Sequence, residues 1–282
     1  MRRSLGILLG IAVTTGLAIW AGPVALVNRF LDVPLRFLAL MFGALFLGEA
    51  LRLYKFRIAL KSLLSFREAA SIFLYSRLPA YAPPHHMADL VPLLHSHTRK
   101  KDFAAFIVVD RAFEAAALVL VGGFGIVNHV HSLILYAVWS LLLGVAAFLI
   151  ILLYRRNGHL TRFIRTLRDN ASAFRAFLFT LSALTLTAVL MDVCAFQLLV
   201  KSLGHGMTLS YAGFMLAGMA LAGLLSFLPG GLGVSDAACA ILLVAHGAER
   251  AAAGGVALFH RAIELIRGAL YFGVLVLLRR PS

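Results

Sequence analysis

Charge is scarce in this chain. Only 13% of its 282 residues are charged, against about 25% in soluble domains. Acids are the scarcer sign, with 12 Asp and Glu facing 26 Lys and Arg. A surface so poor in charge excludes an ordinary soluble domain. Cysteine occurs twice, at Cys194 and Cys239. Both lie in apolar stretches without CxxC or zinc-ligand spacing, which excludes a disulfide scaffold and a zinc module and leaves them as small hydrophobes. No GxSxG elbow, Walker A loop or dinucleotide fingerprint occurs, so no catalytic residue and no cofactor is expected. No polar linker is long enough to tether a soluble domain.

What remains is hydrocarbon. The chain is 61% hydrophobic, with a mean hydropathy of +0.93, and reads as an all-α integral membrane protein. Its net charge of +14 would suggest nucleic acid in a soluble protein. Here the cations sit in short loops beside apolar runs, where they set topology and attract anionic headgroups, so nucleic acid is excluded. A spanning helix needs about 20 apolar residues. Six segments qualify: Leu5–Gly22, Leu35–Leu53, Phe103–Val127, Ser132–Tyr154, Ala176–Val200 and Ala251–Leu278. The Met1-Arg2-Arg3 start resembles a signal peptide, but no small-x-small cleavage site follows, so the first run is kept as a span.

Two further apolar stretches are broken. Pro79, Pro83, Pro84 and Pro92 interrupt Ser65–Leu94, and Pro229-Gly230-Gly231-Leu232-Gly233 interrupts Leu209–Gly247. Proline removes a backbone donor and glycine loosens the chain. Broken backbone at membrane depth needs protein or water beside it, so both stretches read as re-entrant helical hairpins. They also repeat each other. Ser65 and Ser210 open the two units, and Pro84 and Pro229 break them at matching positions. Asp110-Arg111-Ala112-Phe113-Glu114 and His260-Arg261-Ala262-Ile263-Glu264 then close matching apolar helices. The chain is thus one transmembrane domain, residues 1–282, with repeat 1 at about 65–127 and repeat 2 at about 209–278.

Charge asymmetry orients the layout. With the N-terminus cytoplasmic and each hairpin returning to its own side, most Lys and Arg fall inside, among them Arg52, Lys55, Arg57, Lys61 and Arg67 after the second span. Only Arg29, Arg36, Lys201 and Arg250 fall outside. Both termini are then cytoplasmic, and the two repeats are inverted. The stretch Arg155–Arg175 alternates Arg with apolar residues, as an amphipathic helix on the inner leaflet or a basic linker would.

Ionisable residues inside spans mark function by default. Arg111 with Glu114, and Arg261 with Glu264, stand three apart and can pair on one helical face. Asp110 and His260 share those faces and are the candidates for proton coupling. Asp89 and Asp236 follow the broken tips, where Asp suits an N-cap. Freed amides there would make an anion site for a lipid phosphate, and Gly230, Gly231 and Gly233 would admit it closely. Arg77, Glu49 and Asp192 are further buried charges whose partners the sequence leaves open. Gly43, Gly48, Gly213 and Gly218 suit helix packing. The histidines at 85, 86, 95 and 97 lack a metal-ligand spacing, so no metal is expected.

At the two tips the sequence resembles the membrane region of lysylphosphatidylglycerol synthases, a group of flippase-like membrane proteins. The family's Pro-x-Arg-x-Gly-Glu block corresponds to Pro84-His85-His86-Met87-Ala88-Asp89, followed by Arg99-Lys100-Lys101 and Asp110-Arg111. Its Leu-Pro-Gly-Gly-Leu-Gly-x-x-Glu block corresponds to Leu228 through Asp236, and a later family Arg to Arg261. His86 stands where Arg is expected and Ala88 where Gly is, while Asp89 and Asp236 replace Glu. Ending at Ser282, the chain is expected to lack the family's soluble synthase domain and to make no aminoacyl lipid. The resemblance implies a flippase carrying a phospholipid or an isoprenoid- or hopanoid-type lipid across a bacterial inner membrane. Arg111 and Arg261 would engage the headgroup, with Glu114, Glu264, Asp89, Asp236, His86, Pro84 and Pro229 around it. Lipids with anionic headgroups are the expected partners, with a homodimer as a further expectation. The alternatives are a membrane enzyme acting on a lipid headgroup and an accessory protein of a lipid pathway.

Overall fold

The computed structural model describes residues 2–60, 65–77, 110, 113–125, 171–225 and 233–279. Every regular element among them is a helix: α1 (Arg2–Ala21), α2 (Pro23–Leu31), α3 (Leu35–Leu60) and α4 (Phe66–Arg77), α5 (Phe113–Gly125), then α6 (Ala171–Ser202), α7 (Leu209–Leu225), α8 (Val234–Ala245) and α9 (Arg250–Arg279). The expected span Ser132–Tyr154, the first hairpin tip and the basic stretch up to residue 170 lie outside the described residues.

Two described helices are long and apolar enough to cross a membrane, Leu35–Ile58 within α3 and Leu178–Ser202 within α6, or three if the bent pair α1–α2 counts as one. At about 1.5 Å per residue each exceeds the ~30 Å hydrocarbon core. The first span does not end at Gly22 in a plain loop. The chain turns there by 82° into α2. Gly22 makes this possible with φ +85°, a left-handed conformation that side chains resist, and Pro23 then starts α2 with its fixed φ. Helix α9 has 30 residues but carries His260, Arg261, Glu264 and Arg267 at its centre. Its charge, not its length, sets it apart from the apolar spans.

Contacts at the two ends of the bundle fix helix directions. At one end, Arg29 of α2 donates to the Leu203 carbonyl at 2.9 Å and to Glu249 at 2.6 Å. These bonds tie α2 to the end of α6 and the start of α9. At the opposite end, Arg67 of α4 donates twice to the Leu278 carbonyl, at 2.9 and 2.6 Å. Helices α3 and α6 therefore run antiparallel. Their backbones come close where Gly48 faces the Ala188 carbonyl and the Met191 Cβ, a Cβ at Gly48 meeting each at 3.4 Å.

Helices α7 and α8 form an antiparallel hairpin. The Tyr211 hydroxyl near the start of α7 donates to the Leu242 carbonyl near the end of α8, at 3.2 Å, and the Tyr211 ring stacks on His246 with centroids 3.8 Å apart. The described part of α7 has 17 residues and α8 has 12. The hairpin opens at the Arg29–Leu203 end, whereas α4 enters from the opposite end, beside Leu278. Helices α4 and α7 thus enter the bundle from opposite ends.

The core lies where α6, α7, α8 and α9 meet, around Val193, Val200, Met215, Cys239, Leu243, Ala253 and Val256. Cys239 is a buried free thiol and packs as a small hydrophobe. Of the packing glycines, Gly213 sits against Val121, where a Cβ would collide with the Val121 side chain, and Gly218 lies against Leu242. Gly43 is the exception, because a Cβ there meets nothing within 4 Å.

Candidate functional site

The second hairpin delivers Asp236 to α9. Helix α8 starts at Val234, one turn earlier than an N-capping Asp236 would require. Gly233 takes the cap position with φ +78° and ψ −41°, a conformation suited to glycine. Asp236 becomes the third helical residue, and its carboxylate accepts the Gly233 N–H at 3.1 Å. That is one half of a capping box; the other half needs a side chain that glycine lacks. The expected N-cap role of Asp236 is therefore corrected to this reach-back bond. Gly233 spends its amide on Asp236, not on an incoming ligand.

Asp236 is fully buried, 0% exposed, and its main partner is Arg261. The guanidinium forks it, with Nε 3.1 Å from both Oδ1 and Oδ2 and Nη2 3.0 Å from Oδ2. The planar fork matches a carboxylate presented by another helix better than one three residues along its own. This corrects the expected pairing of Arg261 with Glu264. Glu264 instead accepts from Arg267 Nη1 at 2.6 Å, and Arg267 also pairs with Glu49 of α3.

A larger charge network adjoins this pair. Arg52 of α3 lies 3.0 Å from Glu49 and 3.3 Å from Glu114, and also pairs with Asp192 of α6. Lys55 lies 2.5 Å from Asp110 and 3.9 Å from Glu114, and its ammonium donates to the Thr185 hydroxyl at 3.1 Å. Arg52 and Lys55 are 6% and 2% exposed. They are buried charges of the bundle, not members of a cytoplasmic loop. Nothing between Leu53 and Leu60 breaks a helix, so α3 runs on and carries both cations inward, where four carboxylates await them. Glu114 meets Arg52 and Lys55, and Arg111, its expected partner, lies outside the described residues.

A cavity of about 290 Å³ lies between the hairpin and helices α3, α6 and α9. Its polar wall is Asp192, Ser235, His260, Arg261, Glu264 and Arg267. Its apolar wall includes Met41, Leu45, Leu199, Leu216 and Met219. His260 stands edge-on to Phe196, with ring centroids 5.7 Å apart. Asp236 lies behind Arg261 instead of lining the wall.

Of the expected site residues, Arg261, Glu264 and His260 meet at this cavity, with Asp236 and Gly233 supporting them. Asp110 and Glu114 join the adjoining network. Arg111, Asp89, His86, Pro84, Pro229, Gly230 and Gly231 lie outside the described residues. Sequence reasoning missed the roles of Arg52, Lys55 and Arg267. A signal was present: Glu49-x-x-Arg52 and Glu264-x-x-Arg267 share one spacing, and each forms an ion pair.

No curated protein and no solved structure matches the chain. Residues 7–270 do match the family described as the lysylphosphatidylglycerol synthase TM region. The match takes in the helices, the hairpin and the charge network alike. This chain belongs to the lysylphosphatidylglycerol synthase transmembrane-region family, a membrane-embedded and lipid-related group.

Proposed function

We propose that the protein moves a phosphate-bearing lipid headgroup across the membrane, with the cavity beside the α7–α8 hairpin as its binding site. The observation that carries this reading is the divided wall. Six ionisable or hydroxyl side chains face a set of Met and Leu side chains across about 290 Å³. That volume lies at the low end of small-molecule pockets, roughly 300–1,000 Å³, and suits a headgroup with the start of its chains. Charges held inside spanning helices mark substrate paths by default. Arg261 and Arg267 supply the attraction for an anion, and Asp192 and Glu264 keep the empty site close to neutral.

The opposite entry of α4 and α7 supports an inverted-repeat transporter, in which the site lies where the two units meet. In this reading both hairpins are re-entrant, the termini are cytoplasmic and the protein is a carrier, not an enzyme. Its arginines and carboxylates are held in ion pairs, which suits exchange of partners on binding and release.

Reconstitution in liposomes tests this. Fluorescent phosphatidylglycerol placed in one leaflet is expected to equilibrate with the wild-type protein. Arg261→Ala combined with Arg111→Ala is expected to slow it at least tenfold. Full activity in that double variant would defeat the site assignment. Chemically altered lipid recovered from the vesicles would replace transport with catalysis.

A further inference from the structure

The guanidinium fork of Arg261 is already occupied. Its Nε and Nη2 both hold the Asp236 carboxylate at 3.0–3.1 Å. A phosphodiester recognises arginine through the same pair of donors. A carboxylate buried as Asp236 is does not stay ionised once the arginine turns from it to another anion. Asp236 has nowhere else to go, because it is fully buried and its other contact is the Gly233 amide.

Among the described elements that pack on α8, His260 is a titratable group near Asp236 that could gain a positive charge. Helix α7 carries Tyr211 as its titratable group, and α1 has its charges only at Arg2 and Arg3, at its far end. Helix α8 itself adds Cys239. On α9, Glu264 is an acid and Arg267 is engaged by Glu49 and Glu264. His260 lines the cavity, as does Asp192 of α6, an acid held by Arg52.

We propose that anion binding at Arg261 is coupled to proton uptake by Asp236: each phosphate-bearing headgroup that takes the fork brings one proton onto the carboxylate. This rests on the reading of the cavity as a headgroup site. The exchange balances. A proton from water forms an O–H bond at an Asp236 oxygen, and the neutral carboxyl stays in place against the Gly233 amide. The Arg261 side chain turns from Asp236 toward the cavity, and its Nε–H and Nη2–H donors pass from carboxylate to phosphate. Empty, the pair is a cation and a carboxylate; loaded, it is a cation and a phosphate beside a neutral acid. Net charge is unchanged, so headgroup and proton cross together without moving charge. On release the proton leaves and Asp236 closes the fork again.

Calorimetry on the purified full chain tests this with dihexanoyl phosphatidylglycerol, and with dimethyl phosphate as the same diester without acyl chains. Titrations in two buffers of different ionisation enthalpy should report one proton taken up per anion bound. Affinity should rise about tenfold for each unit that pH is lowered. Asp236→Asn should bind with no uptake and no pH slope, while His260→Gln should keep the slope. If Asp236→Asn does not fold, the wild-type stoichiometry and slope decide alone. Uptake with either probe supports the proposal, and the probe that binds identifies a lipid headgroup or a free diester as its source. Binding that depends on Arg261 yet exchanges no proton overturns this inference and spares the site. A slope lost in His260→Gln but kept in Asp236→Asn overturns it too. Binding unaffected by Arg261→Ala, or no binding of either probe, overturns the site and the inference together.

Discussion

Arginine 52 shows what a single residue must satisfy in this bundle. It is 6% exposed and meets carboxylates from three elements: Glu49 on its own helix, Glu114 on α5 and Asp192 on α6. A buried cation with one partner would scarcely repay its dehydration, but several partners in good geometry do. The same rule governs Asp236, which has Arg261 and the Gly233 amide. Asp236→Ala removes the buried carboxylate that Arg261 forks and is expected to destabilise the fold by about 3–5 kcal/mol. Thermal unfolding in detergent reads this as a lowered Tm. Arg261→Lys keeps the charge but loses the fork, so it should fall between wild type and Asp236→Ala.

At the scale of helices, two devices control where elements begin and how closely they approach. Helix α4 starts with a complete capping box. The Glu68 carboxylate accepts from the Ser65 hydroxyl at 2.7 Å and the Ser65 amide at 2.8 Å, and the Glu68 N–H donates to the Ser65 hydroxyl at 3.3 Å. The Ser65 hydroxyl, then its amide, hold the Glu68 carboxyl below the usual carboxylate range. A lowered native value means stabilisation that is complete above the unfolded carboxylate pKa of about 4.3 and is lost as pH falls through the native value. The group is exposed, so the effect is small. Ser65→Ala should cost about 0.5–2 kcal/mol of local helix stability, seen as faster amide exchange over residues 66–77. Close approach is the second device. A Cβ at Gly125 would collide with the Ser210 carbonyl and the Phe214 Cβ, and one at Gly213 with Val121. Gly125→Val and Gly213→Val should therefore separate α5 from α7 and lower Tm sharply. Gly43→Ala, which meets open space, should leave Tm unchanged or slightly raised.

For the whole molecule, the decisive feature is direction. The α7–α8 hairpin opens at the end where α2, the end of α6 and the start of α9 are tied together by Arg29. Helix α4 enters from the other end, against Leu278. Under the proposed topology these ends lie on opposite sides of the bilayer. Cysteines placed at Gly206, where a side chain meets nothing within 4 Å, and at exposed Ser65 should react with an impermeant maleimide from opposite sides. Cys194 and Cys239 would be replaced by alanine first. Labelling of both from one side would refute the inverted arrangement.

Much of this was legible in the sequence because it depends on composition and local pattern. Long apolar runs demand a membrane whatever their neighbours, and the scarcity of charge points the same way. Proline and glycine clusters mark broken helices from the backbone alone, so the second hairpin could be read before its arms were seen to pair. The matching Arg-x-x-Glu blocks drew attention to Arg261 and Glu264 for the same reason. Partner choice was not legible. Whether Arg261 takes Glu264 or Asp236, and whether Arg52 and Lys55 lie in water or in the bundle, turns on which helices stand side by side. Only tertiary packing brings Asp236 to Arg261 and Asp192 to Arg52. At low dielectric, a few ångströms of approach separate a neutral pair from a charge that the membrane would reject.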